Sequence, residues 1–70
     1  MSVLYSRGEK MRELIRELIN HGMDDTIIRS VIIGLDTEEQ YKQMTDWLRD
    51  VNNPTKNDIM VKVYLITEEK

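Results

Sequence analysis

Few of the seventy residues are of types that do chemistry, and their spacing decides how little they can do together. There is one histidine, His21, and no cysteine. A nucleophile activated by an imidazole base therefore has a single candidate base, and no thiol exists to be activated. The same scarcity removes thiolate zinc sites and a disulfide framework. Carboxylates occur in doublets at Asp24/Asp25, Glu38/Glu39 and Glu68/Glu69. Catalysis by a carboxylate pair needs a cleft that drives two pKa values apart. Two of these doublets fall where helices should begin and the third falls in the tail, so capping and solvation account for all three. His21, next to Gly22, reads as a cation at the C-terminal end of a helix dipole. No stretch has the alternating acids of a calcium loop. Gly8, Gly22 and Gly34 are isolated, whereas a phosphate cradle needs clustered glycines whose amides converge on the anion. The expectation is a protein that is not an enzyme, with no cofactor and no metal, which acts by binding.

Binding to another protein has better material. Trp and Tyr are favoured interface anchors, and Met adapts to irregular partners; the chain has Trp47, Tyr41, Tyr64 and five methionines. Ile59, Met60, Val61, Val63, Tyr64, Leu65 and Ile66 are more apolar residues than one face of a short segment can bury. That surplus points to a partner surface, on a second copy or another protein. Trp47, Tyr64 and Ile66 are the residues expected to make the contact.

Charge argues on the same side. The net charge is −3. Arg7 to His21 carries four basic and three acidic residues, Asp24 to Val51 three and seven, and Asn52 to Lys70 three of each. Affinity for DNA comes largely from Lys and Arg on phosphates, so the acidic middle disfavours it.

These residues must be held by short elements. Ser6 and Glu9 have the spacing of a reciprocal capping box. Met11, Leu14, Ile15, Leu18 and Ile19 then draw one helical stripe that Gly22 closes. Met1 to Tyr5 is expected to be a loose arm. Asp24 caps a second helix through Ile27, Ile28, Val31 and Ile32, with Gly34 supplying positive φ at its end. Thr37 and Gln40 form a second capping box, followed by a stripe of Tyr41, Met44, Leu48 and Val51. Asn52, Asn53 and Pro54 stop that helix. Thr55 and Asp58 can start a fourth, although Ile59, Val61, Val63 and Leu65 also alternate as a strand would. The fold expected is a single mainly α domain, a small bundle of three to four short helices, with α+β and a strand at 59–67 as the alternative.

Residues 24–50 resemble a helix-turn-helix, with Gly34-Leu35-Asp36 as the turn. That resemblance implies a third helix entering the major groove, with Arg29, Lys42, Gln43 and Arg49 as the DNA-contacting residues. Glu38 and Glu39 would then lead into a polyanion, and the expected basic character is missing. The favoured reading is a small regulatory or accessory protein working through protein–protein contact, including a homodimer. A DNA-binding regulator and an acidic mimic of nucleic acid are the alternatives. With no apolar stretch near the roughly 20 residues of a membrane span and no secretion signal, the protein is expected to be cytoplasmic, with no membrane partner.

Overall fold

The computed structural model describes residues 3–68, with side chains from residue 8. It contains four helices: α1 (Val3–Asn20), α2 (Asp25–Gly34), α3 (Glu38–Asp50) and α4 (Lys56–Glu68). No strand occurs among the described residues. The strand alternative at 59–67 fails for a local reason. The Thr55 N–H donates to Asp58 Oδ2 at 3.0 Å, and the Asp58 N–H donates to Thr55 Oγ1 at 3.1 Å. This reciprocal cap satisfies two amides that a starting helix leaves without partners, and a lone strand would have nothing to pair with.

The other helix ends follow the same logic, with two corrections. α1 begins at Val3, so Ser6 lies inside it and is not its cap; Val3 to Tyr5 of the expected loose arm are helical, and Met1 and Ser2 lie outside the described residues. Its far end is closed by Gly22 at φ 80°. The Gly22 N–H reaches the Ile19 carbonyl and the Met23 N–H reaches back to that of Leu18, the paired bonds of a Schellman motif. Asp24 then accepts from the Ile27 N–H, and Thr37 with Gln40 makes a complete capping box. Gly34 is the second correction. It stays helical, and Gly22 is the positive-φ glycine among the described residues. A Cβ on Gly34 would come within 2.9 Å of Val63 Cγ1, so this glycine serves the close approach of α2 to α4. Leu35 makes the exit in extended conformation, and Gln40 Oε1 accepts from both the Asp36 and Thr37 amides.

α1 packs on α3, α3 on α4, α4 on α2, and α2 on α1. The four helices thus form a closed ring in the spatial order α1-α3-α4-α2. α2 and α3, consecutive in the chain, sit on a diagonal and do not pack against each other. Leu14, Leu18, Val31, Leu35, Tyr41, Met44, Leu48, Ile59, Val63 and Ile66 fill the centre. The β-branched run of α2 is held helical by this burial, because Val31 is in the core while Ile27, Ile28 and Ile32 pack on its edge; tertiary packing overrides strand propensity. Ile19, the last residue of the α1 stripe, is mostly exposed.

Candidate interaction surface

Successive residues of a helix are turned by about 100°, so a run of thirteen samples every direction. In α4 the inward positions are Ile59, Val63 and Ile66, all buried. The outward positions are apolar as well: Val61 is 48% exposed, Leu65 50% and Tyr64 62%. A helix that is apolar all round normally has cover all round; α4 has it on one side only. Val61 and Leu65, one turn apart, border a groove between α4 and the end of α3. Trp47 and Val51 form its other wall, Asp58 and Lys62 are the charged members of its lining, and its volume is about 450 Å³.

The three contact residues expected from sequence separate here. Trp47 is half-buried, packing on the core edge with one side and lining the groove with the other. Tyr64 is exposed but lies outside the groove lining, its hydroxyl donating to Glu68 Oε2 at 3.2 Å. Ile66 is 5% exposed, a core residue and not a contact residue, because its position on α4 shares the face of Ile59 and Val63. Sequence reasoning missed Val51, which ends α3 as its extended C-cap. It also passed over Val61 and Leu65 as individual residues, although their four-residue spacing within the apolar surplus was the available signal.

The DNA-contact set is differently disposed. Arg29 pairs with Asp25 at 3.4 Å, Lys42 with Asp46 at 2.9 Å and Arg49 with Glu17 at 3.2 Å, while Gln43 is exposed. All three cations are therefore engaged by carboxylates of this chain. The Lys42 ammonium is held above its usual range by its hydrogen bond to Asp46 and then by that residue's charge. The same hydrogen bond holds the Asp46 carboxyl below the usual carboxylate range. Glu38 and Glu39 occupy the first turn of α3, where a groove-reading helix would present base contacts. The diagonal placement of α2 and α3 also differs from a helix-turn-helix unit, whose paired helices brace each other.

His21 caps a helix end, but the end of α3: its Nε2 lies 2.7 Å from the Leu48 carbonyl. Among the described residues, no three His, Cys, Asp or Glu side chains are grouped to hold a metal ion. None of the described helices is long and apolar enough to cross a membrane. No known protein family matches this chain, and neither does any curated protein or solved structure.

Proposed function

We propose that this chain is a small non-catalytic regulatory or accessory protein that works by protein–protein contact, through the face of Trp47, Val51, Val61 and Leu65. One observation supports the reading above the others: the apolar character of α4 continues around its outer side and meets a groove walled by a half-buried tryptophan. Single exposed apolar residues are ordinary on protein surfaces. Two of them, Val61 and Leu65, that meet the partly buried Trp47 and Val51 on one groove have the composition of an interface centre. The DNA-reading alternative is less favoured, since its cations are already paired and acids lead the helix that would enter the groove.

A photoreactive amino acid placed at Leu65 tests this in the native host. The expected result is a discrete adduct of defined mass, identified by mass spectrometry, that is absent when the same group replaces the exposed Arg12 of α1. Equal labelling from both positions would count against the reading.

A further inference from the structure

Resting on the reading of the α3/α4 face as an interaction surface, we infer that its occupant is a helical segment of another protein. That segment carries one carboxylate beside an i, i+4 apolar pair, and Lys62 binds the carboxylate. The shape of the groove calls for a helix. Trp47 and Val51 are four residues apart on one wall, and Val61 and Leu65 are four apart on the other. Rows of side chains at that spacing are the ridges between which another helix seats its own i, i+4 row. An extended peptide would need an open sheet edge for its main chain, and no strand occurs among the described residues.

Charge selects the chemistry. Five basic residues lie in α2, α3 and α4: Arg29, Lys42, Arg49, Lys56 and Lys62. Arg29 pairs with Asp25, Lys42 with Asp46, Arg49 with Glu17 and Lys56 with Asp24. Lys62 pairs with no carboxylate among the described residues, yet it is the one of the five that is partly buried. A charge drawn out of water gains most from an opposite charge at hand. Asp58, four residues before it, has the spacing of a helical ion pair but is engaged elsewhere. Its Oδ2 accepts from the Thr55 N–H at 3.0 Å, and it stands in the first turn of α4, where the helix dipole favours an anion. The groove thus sets a cation without a counter-ion of its own among four apolar side chains.

The rest of the chain limits the partner to a single acid. Its net charge is −3, and the segment from Asp24 to Val51 carries seven acids against three bases. That field repels an acidic tract, whereas one carboxylate placed on Lys62 meets the local cation.

Selection of a tryptophan-free library of helical peptides, randomised along one face, against the purified full chain tests this. Trp47 is the sole tryptophan of the chain and lines the groove, so its emission reports occupancy. Selected peptides are expected to carry an i, i+4 apolar pair and one Asp or Glu, and to shift that emission when titrated singly. Changing the acid to its amide should weaken binding about threefold or more on the wild type and not at all on Lys62→Gln, the mark of a direct pair. Lys56→Gln, whose cation already has Asp24, should leave affinity unchanged. Selection on Lys62→Glu should return Lys or Arg in place of the acid. Peptides that shift Trp47 without preferring an acid, or that respond equally to Lys56→Gln, overturn the partner chemistry and leave the face in place. A library that returns nothing acting on Trp47 overturns the helical occupant and leaves the cross-link at residue 65 to decide the face. A Trp47 shift that grows with the concentration of the chain alone gives the groove to a second copy and overturns the proposal as well.

Discussion

The imidazole of His21, in the turn after α1, donates from Nε2 to the main-chain carbonyl of Leu48, 27 residues further along, at 2.7 Å. Leu48 lies in the last turn of α3, where carbonyls have no helical partner. The acceptor is a carbonyl, so Nε2 carries the proton. On the same seam, Arg49 of α3 meets Glu17 of α1 at 3.2 Å. Two polar links thus fix the end of α1 to the end of α3, next to Trp47 and Val51, and so hold one wall of the groove.

Replacing His21 by Ala should accordingly lower stability by about 1 kcal/mol, the net worth of a partly buried hydrogen bond. For a domain of this size that is a drop of about 4–8 °C in Tm. Thermal denaturation followed by circular dichroism measures it. An unchanged Tm would mean that solvent serves the Leu48 carbonyl equally well.

Gly34 and Val63 make a second testable relationship. Alanine favours helix over glycine by about 1 kcal/mol in a helix interior, so propensity alone predicts that Gly34→Ala stabilises α2. The structure predicts the opposite sign. The new methyl would sit 2.9 Å from Val63 Cγ1, and a buried β-branched side chain has no alternative rotamer to retreat into. Overpacking of this kind costs about 1–3 kcal/mol. Combining Gly34→Ala with Val63→Ala should cost less than the sum of the two single changes, with a coupling of about 0.5 kcal/mol or more. Strict additivity in chemical denaturation would show that the helices part without strain.

Which parts of this were legible in the sequence depends on range. Asp24, Thr37 with Gln40, and Thr55 with Asp58 act within three residues, and each does what its spacing predicts. Gly22 closes α1 for the same reason. Gly34 was misread because a turn and a close helix approach both call for glycine, and only the position of Val63, 29 residues away, distinguishes them. The helix-turn-helix-like pair is legible to the same extent: its two capped helices and short turn are local and are present, whereas the ring order that puts α2 and α3 on a diagonal is not local. For the interaction surface, the apolar surplus of the last segment was visible. Its division into buried Ile66 and exposed Val61 and Leu65 depended on how α4 is rotated, and a helix apolar on every side gives no sequence stripe from which to read that rotation.

Lys42 and Asp46 yield a prediction about pH. The hydrogen bond from Lys42 lowers the Asp46 pKa below its ordinary value of 3.8. A carboxyl with a depressed folded pKa binds its proton less readily in the native state than in the unfolded one. Its contribution to stability is therefore present above the unfolded pKa and is lost as pH falls through the lower folded value. Both side chains are more than half exposed, so the effect on melting is small and the titration itself is the better readout. Carboxyl carbon shifts in NMR should place the Asp46 midpoint below 3.8, and Lys42→Ala should return it toward that value. A wild-type midpoint at the ordinary value would show that Lys42 is free in solution, and would reopen its availability to phosphate.

Trp47 joins core and groove, and its truncation should separate the two roles. One side of the indole packs on the core edge, so Trp47→Ala must cost some stability. That cost should fall below the roughly 3–5 kcal/mol of a fully buried tryptophan, because part of the ring already faces the groove. The groove loses the larger part of one wall, with Val51 remaining, and association through this face should weaken at least tenfold, about 1.4 kcal/mol. Leu65→Ser gives the reference, since it alters the opposite wall at a half-exposed position and should weaken association with little change in melting. Comparing the two variants by sedimentation and by denaturation locates the role of Trp47. A cost at Trp47 in the full range of about 3–5 kcal/mol, with association unaffected under conditions where the variant remains folded, would reduce the tryptophan to a core residue and leave the groove without its anchor.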